Sequence, residues 1–462
     1  MNIANMTALE IRNVIAEKEI SAVEVMSDTL TRMNALEPAL NAFVTTTPDL
    51  AMEAAKATDK AIMSGKPLGL LQGIPISVKD LINVGGIKTT FGSRTRVNNL
   101  AAADAPSVER VRNAGAGIIG KTTTTEFGSK AGSSDSPLTG VTSNPWNLEK
   151  TTGGSSAGAA ASVAAGITPF ALGTDGGGSV RIPSALCGLF GIKAQFGRVP
   201  VFPTSATPTL AHVGVLSRTV RDAALLMQVI SGYESRDPAS VSESVPNFIE
   251  ACDLPIKGLR IAWSPTLGYA KPTPEVRMIT ENAVRRFEDM GCSVELVEKV
   301  FDDPIDLWMA DFYAGIGVTL KDENSDLLDP ALAGVLQYAL DESMESYYSK
   351  VFKRYSLHEK VRQFFQDYDL LLTPTLPVSS INAGVNVPPN LLDRNMVSWS
   401  YYTYPFNLTG NPAASIPCGI DEEGMPVGLQ MVAGFNREVD ILQAAACFEA
   451  SYPWENKMPI LA

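Results

Sequence analysis

The chain has 462 residues, 45% apolar and 19% charged, which is enough apolar material for a large core and excludes disorder as the main state. A net charge of −13 argues against nucleic acid as the main partner, because phosphate binding calls for a basic surface. The five scattered cysteines contain no CxxC and point to free thiols in a reducing compartment, while the two histidines, His212 and His358, read as structural and leave no zinc-site spacing.

The N-terminus lacks a basic region followed by an apolar run, and no stretch reaches about eighteen uninterrupted apolar residues. The expectation is a cytoplasmic protein with no membrane contact. Thr7-Ala-Leu-Glu10 and Ser21-Ala-Val-Glu24 fit the capping box, and each precedes apolar residues at helical spacing. They predict two helices, with a third from Pro48 to about Met63, so residues 1–65 form a helical N-terminal part. Gly73–Asp80 reads as a short buried strand ending in Lys79. Either Lys79 faces the core, where its charge must be paired or its pKa lowered, or it marks the solvated end of the strand. Val108–Ala114 reads as a helix and Ala116–Gly120 as a strand, followed by the polar run Lys121–Lys130. The long loop Gly132–Gly153 is of the kind that usually serves function.

Thr152–Arg181 carries two serines in glycine nests, Ser155 and Ser179. Glycine concentrates where backbone must adopt positive φ or approach a ligand closely. Between the nests lie a predicted helix, Ser156–Ala165, and a predicted strand, Thr168–Gly173. This places Ser155 at a helix start and Ser179 just past a strand end, both positions where free backbone N–H groups can face an anion.

Thr219 caps a helix reaching about Gly232, and polar Ser235–Asp253 reads as a linker or an excursion. Leu259–Trp263 reads as a strand, Pro274 opens a helix reaching about Gly291, and Ser293–Val297 is another strand. Residues 304–366 read as several helices, Asp369–Thr373 as a buried strand, and 380–396 as a loop. Trp399–Thr409 reads as an aromatic helix, Gly428–Ala433 as a strand and Arg437–Ala450 as a closing helix. Strands alternating with helices predict an α/β fold: a mixed, mostly parallel sheet covered by helices on both faces. No linker divides the chain, so 1–462 reads as a single large domain, with 304–396 a variable helical and loop excursion that shapes the substrate pocket.

A serine hydroxyl needs a base to take its proton, and histidine is nearly absent here. A lysine of lowered pKa is the known substitute, and Lys79 is the candidate. Ser179 follows three glycines whose N–H groups can surround a developing oxyanion, and Ser155 can relay a proton between Lys79 and Ser179. The same G-G-S-S-A-G also reads as a phosphate-binding turn or a plain tight turn, although no GxxxxGK[ST] is present.

Several long motifs resemble the amidase signature family. They are G-G-S-S-A-G-A-A-A-S-V-A-A-G (Gly153–Gly166), A-L-G-T-D-G-G-G-S-V-R-I-P (Ala171–Pro183) and G-I-P-I-S-V-K-D (Gly73–Asp80). Further matches are K-T-T-T-T-E-F-G (Lys121–Gly128), Asn144-Pro-Trp146, L-L-T-P-T (Leu371–Thr375), N-P-A-A-S-I-P (Asn411–Pro417) and P-V-G-L-Q (Pro426–Gln430). The resemblance implies the amidase signature fold and a Ser–cisSer–Lys triad, with Ser179 as nucleophile, Ser155 as bridging serine after a cis peptide bond and Lys79 as base. It implies an oxyanion hole from the N–H groups of Gly176, Gly177, Gly178 and Ser179. Ser156, Thr174, Asp175 and Arg181 match a supporting shell, with Asp175 and Arg181 expected to pair. Phe127, Gly128 and Ser129 are the implied substrate contacts. No metal or organic cofactor is implied.

Two departures stand out: Ala157 where the family most often has glycine, and Thr122–Thr125 in place of the commoner T-N-x-P near the substrate. The activity implied is hydrolysis of a small-molecule aryl or alkyl amide through an acyl-enzyme, giving a carboxylic acid and ammonia or an amine, in a chain that can form a homodimer. The alternatives are the glutamine-hydrolysing subunit of a tRNA-dependent amidotransferase, hydrolysis of a hydrazide, carbamate or ester, or a non-catalytic binding protein on the same fold. The segment from Gly197 to Asp222 resembles free-standing amidases more closely. Phe127, Trp308, Phe312, Tyr313, Tyr401, Tyr402 and Tyr404 are candidates to line an apolar pocket, or to be ordinary core.

Overall fold

The computed structural model describes residues 3–454 and 459. Both capping boxes close in both directions: Thr7 Oγ1 accepts from Glu10 N (3.1 Å) and Glu10 Oε2 from Thr7 N (2.7 Å), with Ser21 and Glu24 paired alike. They open α1 (Ala8–Ala16) and α2 (Ala22–Leu40), and β1 (Phe43–Thr46) precedes α3 (Pro48–Met63). Then follow β2 (Pro75–Lys79), α4 (Pro106–Asn113), β3 (Gly117–Thr122), α5 (Ala157–Ala164), β4 (Phe170–Asp175) and α6 (Arg181–Cys187). The chain continues with β5 (Phe190–Lys193), β6 (His212–Ser217), α7 (Val220–Ile230), α8 (Phe248–Ala251), β7 (Arg260–Trp263), α9 (Pro274–Asp289) and β8 (Ser293–Leu296). It ends with α10 (Ile305–Leu320), α11 (Pro330–Leu340), α12 (Met344–Asp367), β9 (Leu370–Pro374), α13 (Pro405–Leu408), β10 (Ala413–Ile420), β11 (Pro426–Ala433) and α14 (Glu438–Ser451).

One 11-stranded sheet runs β1-β3-β2-β4-β6-β5-β10-β11-β9-β7-β8. It is mixed. Parallel pairing forms two blocks, β3-β2-β4 and β9-β7-β8. The strands between them, and the β1 edge, pair antiparallel. Parallel neighbours need a crossover connection, usually a helix, whereas antiparallel neighbours do not. The middle strands β5 and β6 have no intervening helix, and β10 and β11 form a hairpin, so parallel order does not extend through the centre.

Period-two alternation sends successive side chains to opposite faces. On β4, Phe170 and Leu172 enter the main core with Val220, Ala223 and Leu226 of α7, while Ala171 packs with Ala160 and Val163 of α5. On β9, Leu370 and Leu372 join the main core, and Leu371 enters a second core holding Trp308, Phe312 and Tyr402. Helices therefore cover both faces. Ser235–Asp253 is an excursion that contributes to the main core, since Phe248 of α8 is buried there. Trp399–Tyr404 forms buried turns instead of a helix; only Pro405–Leu408 is helical, and Ser400 Oγ donates to Val397 O (2.7 Å). All five cysteines are free. Among the described residues no helix is long and apolar enough to cross a membrane.

Candidate active site

The alternation of β2 decides where Lys79 goes. Ile76 and Val78 enter the main core, while Ser77 bonds Ser162 on α5 (2.9 Å), so Lys79 shares the α5 face. It is fully buried there, and the solvated reading is excluded. Its Nζ bonds Ser155 Oγ (2.7 Å), Thr174 Oγ1 (2.8 Å) and Ser156 Oγ (2.9 Å), with Thr174 O at 3.4 Å. None of these partners is a carboxylate. Burial pushes the lysine well below its usual pKa, and the charge of Asp175 only partly offsets this.

Ser155 follows a cis peptide bond from Gly154. Ser156 caps the start of α5, its N–H donates to Ser179 O (3.2 Å), and its hydroxyl donates to Thr174 O (3.2 Å). The bond to Ser179 ties the two serine nests together. Ser155 and Ser179 line one cavity of about 360 Å³, with Ser155 1% exposed and Ser179 9%. Ser179 is thus the more exposed of the two serines and Ser155 the one in contact with Lys79.

The Asp175–Arg181 pair forms as expected and is fully buried (2.9 Å). Asp175 Oδ1 also accepts from Gly178 N (2.7 Å) and Asn407 Nδ2 (2.9 Å), and its Oδ2 accepts from Val180 N (3.1 Å) and Arg181 Nε (3.0 Å). Burial alone would raise its pKa, but Arg181 and then Lys193 outweigh it and hold the carboxylate well below its usual range. Gly178 is therefore a correction to the expected oxyanion hole: its N–H is committed to Asp175. The N–H groups of Gly176, Gly177 and Ser179 take no partner among the described residues. Gly176 and Gly177 are fixed from outside, because Trp308 Nε1 donates to Gly176 O (2.8 Å) and Thr403 Oγ1 to Gly177 O (2.6 Å). A Cβ on Gly177 would lie 2.7 Å from the Trp308 ring, so this turn is closely enclosed.

The three implied substrate contacts divide. Phe127 and Gly128 line the cavity, and a Cβ on Gly128 would stand 3.1 Å from Ser155 Oγ. Ser129 does not line it; it is buried, and its carbonyl accepts from Tyr313 OH (3.1 Å). The aromatic candidates divide similarly. Phe127 and Phe312 line the cavity, and Trp308 stacks behind Phe312 at 4.3 Å. The tyrosines are core: Tyr402 OH donates to Pro265 O (2.7 Å), Tyr404 OH to Asp303 (2.6 Å), and Tyr401 is buried. Thr122–Thr125 also stay off the cavity; Thr125 O accepts from Gly128 N (2.9 Å) and supports the loop. Ala157 has no positive φ, so its methyl is accommodated.

Sequence reasoning missed other parts. The stretch 200–207 forms a cavity wall, and Phe91 stacks on Phe127. Lys121 and Asp80 form a buried ion pair (2.9 Å) beside Lys79 in sequence. His212 lines the cavity, but burial and then Lys193 drive its pKa well down, and its Nδ1 lies 2.8 Å from Leu210 O, so it is a neutral wall residue. No group of three or more His, Cys, Asp or Glu residues suited to a metal occurs among the described residues.

A family model described as Amidase matches residues 24–442. An acylamidase of Rhodococcus erythropolis is 34% identical, over 99% of this chain and 98% of that protein. A glutamyl-tRNA(Gln) amidotransferase subunit of Heliobacterium modesticaldum is also 34% identical, over 100% of both chains. Among solved structures, a bacterial aryl acylamidase of the amidase signature family superposes with a TM-score of 0.92 at 29% identity, covering 98% of each chain. A 6-aminohexanoate cyclic dimer hydrolase superposes with a TM-score of 0.90 at 26% identity, covering 99% of each. The extent of the family match, together with these full-length relatives, shows that the chain belongs to the amidase family, among the amidase signature hydrolases.

Proposed function

We propose that the protein hydrolyses a small aryl amide through an acyl-enzyme on Ser179, with Ser155 as proton relay and Lys79 as base. The observation that carries this reading is a fully buried lysine whose close contacts are hydroxyls and a carbonyl, with Ser155 Oγ at 2.7 Å. Burial favours the neutral amine, which has a lone pair for a serine proton. Lys79 takes a proton from Ser155 as Ser155 takes one from Ser179, and Ser179 Oγ bonds to the amide carbon. In this reading the N–H groups of Gly176, Gly177 and Ser179, which have no partner among the described residues, donate to the oxyanion. The proton returns through the relay to the leaving nitrogen, and the C–N bond breaks. Water then cleaves the ester by the same relay and releases the acid.

The aryl preference rests on the walls: Phe91, Phe127, Phe202 and Phe312 line the cavity, and among the described residues no carboxylate side chain does. The acylamidase relatives point the same way. The likeness to the amidotransferase subunits supports glutamine as the second substrate to assay. Turnover of an N-acetyl anilide by the purified chain tests the reading. Ser179→Ala is expected to lower kcat by about 10⁴-fold or more. A variant retaining the wild-type rate would move the nucleophile elsewhere, and hydrolysis of glutamine in preference to every anilide would replace the aryl assignment.

A further inference from the structure

Among the described residues that line the cavity, Arg96 is the one side chain carrying a full charge, since His212 is held neutral. It sits on an aromatic wall. Phe91 and Phe127 stack at 5.6 Å with ring planes 6° apart, and the Arg96 guanidinium lies 6.0 Å from the Phe127 centroid. Both phenylalanines have positive φ, 56° and 48°, a conformation that bulky residues rarely adopt without a local reason. Phe127 N donates to Phe91 O (2.8 Å), which fixes the two backbones together. Helix α10 contributes Phe312 and Thr319 to the lining, and Glu323 lies just past its end.

Glu323 Oε1 accepts from Arg96 Nη1 (2.5 Å), and the same nitrogen donates to Thr95 O (3.2 Å). These bonds leave Nε and Nη2 without a protein partner among the described residues. Nε and Nη2 make up the edge of a guanidinium that grips a carboxylate with two parallel hydrogen bonds. The pair with Glu323 is one-point and partly solvated, with side chains 26% and 30% exposed, so it orients Arg96 without using that edge.

We propose that Arg96 is a specificity-determining residue: its free Nε–Nη2 edge, at the end of the Phe91–Phe127 stack, takes a carboxylate carried on the aromatic portion of the substrate, remote from the scissile amide. The substrate class is then an aryl amide with an anionic ring substituent. This rests on the aryl-amide reading above and adds the charge of the substrate to it.

The test compares kcat/KM within two pairs, one for each side of the scissile bond: 4-acetamidobenzoate against 4-acetamidotoluene, and 4-carboxybenzamide against 4-methylbenzamide. The wild type is expected to favour the carboxylate in at least one pair by about ten- to a hundredfold, the range of a charge-assisted hydrogen bond. Arg96→Gln should collapse that ratio, chiefly through KM, and Arg96→Lys should keep only part of it, because an ammonium lacks the fork. Glu323→Gln should raise the ratio by a few-fold, since it removes the competing charge. Opposite shifts from the two neighbours cannot come from impaired folding. Hydrolysis of the methyl compounds at rates equal to or above those of the carboxylates overturns the role of Arg96 and leaves the aryl-amide reading standing. So does a ratio unmoved by Arg96→Gln. Failure to hydrolyse any of the four compounds overturns both.

Discussion

At the residue scale the site turns on one proton affinity. Lys79 is pushed well below its ordinary pKa of 10.5 by burial among hydroxyls, so between the lowered value and 10.5 it is neutral in the folded chain and charged in the unfolded one. Two signs follow. With Lys79 as the proposed base, kcat/KM should fall on acidification, with unit slope, as the amine gains a proton. Stability should respond in the same direction: the unfolded state binds the extra proton in that window, so the share owed to Lys79 rises with pH and levels off near 10.5. Urea unfolding of wild type and Lys79→Met across this range isolates that share. The gap should move in favour of the wild type as pH rises, and a constant gap would mean that Lys79 is charged in the fold. Sequence alone left Lys79 open between core and strand end, because a strand of five residues does not state which face its last residue takes. The bond from Ser77, two residues earlier, to α5 is what fixes the face.

At the element scale the two serine nests were legible, since glycine and small residues at Thr152–Arg181 mark tight backbone whatever surrounds it. The structure adds the element that presses on them. The turn at Glu126–Gly128 brings Gly128, with φ 74°, against Leu81 and Ser155, each 3.1 Å from a Cβ that glycine lacks. Gly128→Ala is therefore strained in its backbone and crowds Ser155 Oγ. The expected result is a kcat lowered by about tenfold or more with the fold retained, read by steady-state kinetics beside a thermal melt. A neutral result would show that Ser155 has room to shift without cost. The aromatic wall was half legible. Phe127 was marked by its motif, but Phe91 lies more than thirty residues earlier, and nothing local announces a stack. The tyrosines after Trp399 misled in the opposite sense, because an aromatic cluster at a pocket and one in a core have the same composition. For Tyr402 and Tyr404 the hydroxyl partners, Pro265 O and Asp303, separate the two, and Tyr401 is placed in the core by its burial. The unexpected strands β5, β6 and β10 belong to the same class of omission: they are identified by their neighbours across the sheet more than by their own pattern.

For the molecule as a whole, Arg181 joins what the chain order separates. It bonds Asp175 at the end of β4, Thr403 O (2.9 Å) and Asn407 Oδ1 (2.7 Å) before β10, and Gln430 Oε1 (2.7 Å) on β11. The turn after β4 is thereby fastened to both ends of the sheet's antiparallel centre, with every partner buried. A buried pair of this kind need not add net stability, because desolvation offsets attraction, but removing one member leaves the other charge without compensation. Arg181→Met is expected to cost about 3–5 kcal/mol in urea unfolding for that reason. Adding Asp175→Asn should then recover part of the loss, since the stranded carboxylate is gone while an amide oxygen can still accept from Gly178 N. If the double variant is less stable than the single by the full cost of a second lesion, Asp175 acts mainly as a cap for the Gly178–Val180 turn. If it recovers, charge balance is what Arg181 supplies, and the turn that carries Ser179 is rigid because the sheet centre closes around a neutral pair.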